Sequence, residues 1–153
     1  MSEPVVAISA VILKPLEPML ARQGFATAIA WEMAEADKPA VRVLLHAGEA
    51  KLTPEMLQSF PNLGLIAVMT AGYEGVDVAW CRANGIEVSY AGGVNAEDVA
   101  DHAMGLMLAG LRDMHLHDRA IREGRWRLED RAAPQPSLTG RKLGIVGLGH
   151  IGA

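Results

Sequence analysis

Cysteine is nearly absent from this 153-residue chain, and so are aromatic residues, at 5% of the total. Cys81 stands alone, which excludes an intrachain disulfide. It reads as a small buried hydrophobe and not as a nucleophile. The shortage of aromatics leaves Gly and Ala to set much of the interior. That composition suits an α/β protein, in which small residues let helices lie close to a sheet. Excess charge is also small: the net charge of −4 gives no electrostatic reason to bind nucleic acid or an anionic membrane. No apolar run of about 18 residues is free of charge or Pro, so no membrane span is expected. Met1-Ser2-Glu3-Pro4 lacks the basic start and apolar stretch of a secretory signal, and the chain is read as cytoplasmic. There is no internal repeat.

What is present alternates between strand and helix signals. Val5-Val6-Ala7-Ile8 is a short apolar run of the buried parallel-strand type. Residues 15–23 predict a helix, with Leu16, Met19 and Leu20 facing the core and Gly24 as its stop. A weaker strand is predicted at 25–29, residues 31–38 are ambiguous, and 41–45 is a clear strand. Thr53-Pro54 opens a helix, because Thr can cap and Pro is favoured at the first helical position. Met56, Leu57 and Phe60 supply its inward face. Residues 63–69 form the next buried strand and 70–75 a loop at its carboxyl end. Asp77 caps a short helix that Asn84-Gly85 ends, and 86–90 is an edge-proximal strand. Strand and helix in repeated succession imply a parallel sheet with right-handed crossovers, close to a flavodoxin-like layout. Ligands of such sheets collect at the carboxyl ends of the strands. The loops at 46–48, 70–75 and 91–95 are therefore the ones to watch.

Gly92-Gly93 marks a boundary, with residues 1–94 predicted as one domain and 95–153 as the start of another. Asn95 is a good N-cap for one long helix running to about Glu123. Along it Val99, Ala103, Leu106, Met107, Gly110, Leu111 and Met114 repeat at spacings of three and four. His115 and His117 lie two apart on that helix, point about 200° from one another and cannot share a metal. Residues 131–137, with Pro134 and Pro136, predict a surface loop, and 143–146 a strand. That strand runs directly into Gly147-Leu148-Gly149-His150-Ile151-Gly152. Such a strand followed at once by G-x-G-x-x-G is the context a dinucleotide fingerprint requires. Gly147 would make the tight turn, Gly149 would let backbone approach a pyrophosphate, and Gly152 would let a helix pack on the strand. Gly147, Gly149, His150, Ile151 and Gly152 are the expected cofactor-binding positions, with His150 at a variable place facing solvent. The sequence stops at Ala153, before the helix that would hold the pyrophosphate and before an acidic residue expected about 20 positions on. It reads as truncated.

Several stretches together resemble the D-isomer-specific 2-hydroxyacid dehydrogenases. They are Thr70-Ala71-Gly72-Tyr73-Glu74-Gly75-Val76-Asp77, Asn84-Gly85-Ile86-Glu87-Val88, Gly93-Val94-Asn95-Ala96-Glu97-Asp98-Val99-Ala100-Asp101-His102-Ala103, Arg122-Glu123-Gly124-Arg125-Trp126, and the fingerprint. Asp101 departs from the more usual Glu. The resemblance implies a flavodoxin-like substrate domain followed by the start of a Rossmann NAD(P)-binding domain, with the active site in a cleft between them. It implies that the backbone N–H groups of Ala71 and Gly72 hold a substrate carboxylate, that Asn95 contacts substrate or cofactor, and that Val99 packs on the nicotinamide. It also implies reduction of a small 2-oxo acid, glyoxylate or hydroxypyruvate in type, and a homodimer, with the region around Trp126 near the interface. The cofactor is NAD or NADP. The Arg, acid and His that relatives use for catalysis would follow Ala153, so no catalytic residue is assigned and this chain alone is expected to be inactive.

His46, at a strand end, takes a place as a substrate-side residue, with a solvent-exposed turn His as the blander alternative. A non-catalytic dinucleotide sensor of the corepressor type shares the fold, and the presence or absence of that catalytic set would discriminate the two. A receiver-like signalling domain fails, because Ser9-Ala10 and His46-Ala47 stand where it needs acidic residues.

Overall fold

A computed structural model describes residues 4–126 and 135–153. The chain divides into two compact units, one ending at Val94 and the other beginning at Asn95. The first is an α/β unit around five parallel strands: β1 (Val5–Ile8), β2 (Ala26–Ile29), β3 (Val41–His46), β4 (Leu65–Val68) and β5 (Glu87–Tyr90). Their order is β2-β1-β3-β4-β5, the flavodoxin-like order the strand–helix alternation predicted. The apolar runs become the strands because a parallel sheet covered on both faces needs both sides of each strand apolar. Ala7, Leu44 and Ile66 bury their side chains with Leu57, Phe60 and Cys81. Ile8 and Leu45 bury theirs with Leu13 and Ile29.

Three helices serve this sheet. α1 (Glu17–Arg22) follows a 3₁₀ helix over Val11–Leu16. Leu16 and Leu20 pack against the core, whereas Met19 is exposed, which corrects its predicted inward place. Pro15 lies inside this 3₁₀ stretch and supplies no backbone donor to it. The ambiguous 31–38 stretch also winds as 3₁₀ turns, at Ala30–Glu32 and Glu35–Ala40. α2 (Pro54–Gln58) is capped by Thr53, whose side chain accepts the N–H of Met56 at 3.4 Å. Leu57 and Phe60 are buried while Met56 is exposed. Adjacent helical residues cannot share one narrow face, so only the i,i+3 pair points inward. α3 (Val78–Ala83) is capped by Asp77, which accepts the N–H of Trp80 at 2.9 Å, and it stops at Asn84-Gly85.

The second unit carries α4 (Ala96–Leu111) and α5 (Met114–Arg122), not the single long helix expected from Asn95 to Glu123. The break falls at Asp113, a non-glycine residue at φ 48° and ψ 33°. Asp is among the few residues that tolerate this left-handed conformation. Leu106 and Met114 of the predicted apolar stripe are exposed, since a stripe is buried only where another layer covers it. Residues 143–146 form no strand, and Leu143, Ile145 and Val146 are exposed. A strand exists through its ladder partners, and among the described residues none pairs with this segment. Residues 131–134 of the predicted surface loop lie outside the described residues. Among the described residues, no helix is long and apolar enough to cross a membrane.

Candidate functional site

The carboxyl ends of β3, β4 and β5 open into three loops that hold one another. Residue Thr70, two beyond the end of β4, is the organising side chain. Its hydroxyl accepts the N–H of Gly48 at 2.9 Å and donates to the carbonyl of Gly72 at 2.8 Å. The N–H of Gly75 donates to the Gly48 carbonyl at 2.8 Å, and the N–H of Leu52 to the Gly75 carbonyl at 2.9 Å. Close approach demands glycine at both contact points. A Cβ on Gly48 would overlap the carbonyl of Gly72, and one on Gly75 would overlap the carbonyl of Ala50. The third loop joins through the N–H of Ala91, which donates to the Thr70 carbonyl at 3.1 Å.

These bonds fix the direction of the turn's amides. In a trans peptide the C=O and the following N–H point opposite ways. The Thr70 carbonyl faces Ala91, so the N–H of Ala71 points away from β5. The Gly72 carbonyl faces the Thr70 hydroxyl, so the N–H of Tyr73 points out of the loop pair. Among the described residues, the N–H groups of Ala71, Gly72 and Tyr73 have no acceptor. Successive unpaired amides in a turn make a concavity suited to an anion. Ala71 is exposed and Gly72 half-buried, so an anion can reach them. The Glu74 carboxylate lies beside this turn, with its Oε2 2.6 Å from where a Cβ of Gly72 would stand. Tyr73 and Tyr90 stack at 4.9 Å between ring centroids, tilted by 52°.

His46, the last residue of β3, is 1% exposed, which corrects the solvent-exposed alternative. Its Nδ1 lies 2.8 Å from the Ser9 hydroxyl and its Nε2 2.8 Å from the Ala50 carbonyl. Burial pushes its pKa below the ordinary value, with the bond to Ala50 partly opposing that. Both ring nitrogens are thus engaged within the fold, beside the Ala71–Gly72 loop but turned inward. Cys81 is fully buried, and desolvation raises its pKa. Thiolate chemistry is disfavoured there.

The remaining predicted positions fall in the second unit. Asn95 occupies the N-cap position of α4, yet its side chain makes no capping bond. Its carboxamide is exposed and has no partner among the described residues. Val99, one turn on, is 38% exposed and not core. In the fingerprint, Gly147 has φ 92°, a conformation that favours glycine. A Cβ on Gly152 would overlap the Gly147 carbonyl, whereas the space over Gly149 is open. Ala153 donates its N–H to the Gly149 carbonyl at 3.1 Å. His150 and Ile151 are exposed. The structure therefore brings His46, Ala71 and Gly72 into adjoining loops, sets Asn95 and Val99 one turn apart on α4, and closes Gly147 to Gly152 into one turn. Sequence reasoning missed Thr70, Glu74 and the Ser9 partner of His46. Only Thr70 carried a signal, as a hydroxyl at a loop start able to bond backbone two residues on.

Fold and loops together define a doubly wound α/β unit whose interlocked turns gather at the carboxyl ends of the strands. Residues 16–146 match the family described as D-isomer specific 2-hydroxyacid dehydrogenase, catalytic domain, and the chain belongs to that family. It is 34% identical over 112 residues to a glyoxylate/hydroxypyruvate reductase of Arabidopsis thaliana, covering 73% of this chain and 35% of that protein. To a hydroxypyruvate reductase of Thermotoga maritima it is 36% identical over 114 residues, covering 74% and 37%. The chain thus spans about a third of the length of these curated relatives. Among solved structures it resembles an NADPH-dependent glyoxylate/hydroxypyruvate reductase of Sinorhizobium meliloti in complex with citrate. The TM-score is 0.85 at 33% identity, over 99% of this chain and 48% of that one. The same reductase with NADP and malonate gives 0.80.

Proposed function

We propose that this chain carries the substrate-gripping part of an NAD(P)-dependent reductase of small 2-oxo acids, glyoxylate or hydroxypyruvate in type. The observation that carries the reading is the set of unpaired amides at Ala71, Gly72 and Tyr73, held in place by the Gly48 and Gly75 contacts. The amides would hold the substrate carboxylate, leaving its 2-oxo carbon to the reaction. Asn95, with its free carboxamide, would orient substrate or cofactor. The fingerprint is the part that would take the dinucleotide: Gly147 holds a turn at φ 92° and Gly152 packs on its carbonyl, while residues 143–146 lack the strand that this context calls for. Gly147, Gly149, His150, Ile151 and Gly152 would hold it, and Val99 would offer the nicotinamide an apolar contact. When bound, the cofactor supplies the hydride.

The names of the relatives support this substrate class: the Arabidopsis protein is called a glyoxylate/hydroxypyruvate reductase and the Thermotoga protein a hydroxypyruvate reductase, and the Sinorhizobium enzyme is called NADPH-dependent. The longer relatives' proton-donating set has no assigned match among these residues, so the chain alone binds a carboxylate without turning it over. The same reading carries a homodimer near Trp126, which is 80% exposed, and a cytoplasmic setting. The test is a titration of the labelled 153-residue chain with glyoxylate, followed by amide NMR, beside an NADPH oxidation assay. Shifts centred on Ala71 to Tyr73 with no turnover are expected. Shifts elsewhere, or turnover, would overturn the reading.

A further inference from the structure

We propose that His46 is a positioning residue for the carboxylate grip, acting through its Nε2 bond to the Ala50 carbonyl. The inference rests on the reading of Ala71 to Tyr73 as that grip. His46 is the one buried polar side chain of the described core, and burying an imidazole among apolar neighbours is costly unless both nitrogens are satisfied. Both are. A carbonyl can only accept, so Nε2 carries the proton toward Ala50 at 2.8 Å. In the neutral ring Nδ1 then accepts from the Ser9 hydroxyl at 2.8 Å, whose single proton is shared with the Leu45 carbonyl at 3.0 Å. Ser9 is anchored in turn by its own N–H, which donates to the Leu45 carbonyl at 2.9 Å. The ring is therefore fixed from the end of β1, two strands' width from the turn it serves.

The mechanical link is the Ala50 oxygen itself. It takes the imidazole proton on one side, and on the other it lies against Gly75 so closely that a Cβ there would overlap it. Gly75 closes the turn by donating to Gly48 at 2.8 Å and by giving its carbonyl to Leu52. Gly48 in turn holds the Thr70 hydroxyl that orients the Gly72 carbonyl. The main chain of His46 adds a further tie, since its carbonyl accepts the N–H of Met69 at 2.9 Å. Loss of the Nε2 bond frees Ala50 to move off Gly75, and the amide directions of the grip loosen with it. His46 touches no ligand in this scheme.

Two substitutions separate positioning from simple core filling. A Gln amide places its donor near the Nε2 position, and an Asn amide reaches only the Nδ1 position. Sodium oxalate serves as the probe, titrated into the full chain and followed at the amides of Ala71, Gly72 and Tyr73, with urea unfolding measured in parallel. His46→Gln is expected to hold the oxalate Kd within about twofold, while His46→Asn weakens it by about fivefold or more, the scale of one lost hydrogen bond. Equal Kd values for wild type and His46→Asn overturn the inference alone, as do losses that merely track stability in both variants. Absence of oxalate shifts in the wild type sinks the grip and the inference together. A measurement on the wild type needs no variant: its imidazole nitrogens should report the Nε2–H tautomer and shift with oxalate along the same binding curve. Imidazole signals that stay fixed while the Ala71–Gly72 amides move overturn the inference.

Discussion

Gly48 and Gly72 sit so close that a Cβ on the first would overlap the carbonyl oxygen of the second. Gly48 is buried, so no movement toward solvent relieves the clash, and the obstacle is backbone and not a flexible side chain. Gly48→Ala should cost about 2–4 kcal/mol, at or above the usual range for overpacking. Urea unfolding reads the loss, and a change below about 0.5 kcal/mol would show that the two loops do not pack as described.

Thr70 tests the same contact through hydrogen bonding. Val matches its shape but has no hydroxyl, leaving the buried Gly48 N–H without its 2.9 Å acceptor. An unsatisfied buried donor costs about 1–3 kcal/mol. Thr70→Val is therefore expected to lose that much stability and to weaken carboxylate binding, while Thr70→Ser keeps both. Equal behaviour of the two variants in unfolding and titration would remove Thr70 from the site.

What could be read beforehand divides along the range of the interaction. Thr53 and Asp77 announce α2 and α3 because a cap and its target N–H lie three residues apart, and the apolar runs at 5–8, 41–45 and 63–69 announce their strands. The His46–Ser9 bond spans 37 residues and the Gly48–Thr70 bond 22, so no local pattern reveals either. The break at Asp113 carries no Gly or Pro, the usual punctuation of a helix end. Residues 143–146 have the composition of a strand, but composition supplies no ladder partner. Ala71 and Gly72 were legible only through the resemblance, because a turn glycine looks the same whether or not it faces a ligand.

The Glu74 carboxylate beside Gly72 sets a negative charge next to a turn proposed to hold another. Glu74→Gln should tighten oxalate binding by about two- to fivefold at low ionic strength, with the gain fading toward physiological salt as the screening length shortens. A gain that ignores salt would point to altered loop geometry, and no gain would place the carboxylate away from the bound anion.

The histidine also predicts a direction of pH dependence. Burial holds His46 below its ordinary pKa of 6.5. On acidification the unfolded chain therefore takes up this proton first, at about 6.5, while the folded chain resists. The unfolded state binds more protons across that window, so the stability His46 contributes is whole above about pH 6.5 and falls as the pH drops through 6.5 toward the lower folded value. His46→Gln cannot titrate there and keeps a donor for Ala50. The difference in unfolding free energy between wild type and His46→Gln is expected to be larger at about pH 7.5 than at about pH 5, because only the wild type loses this contribution. Other titrating groups are common to both proteins and cancel in the difference. A difference that stays constant across the window, or grows toward acid, would mean that the folded chain protonates His46 as readily as the unfolded one or more so, and the sealed environment between Ser9 and Ala50 would have to be abandoned.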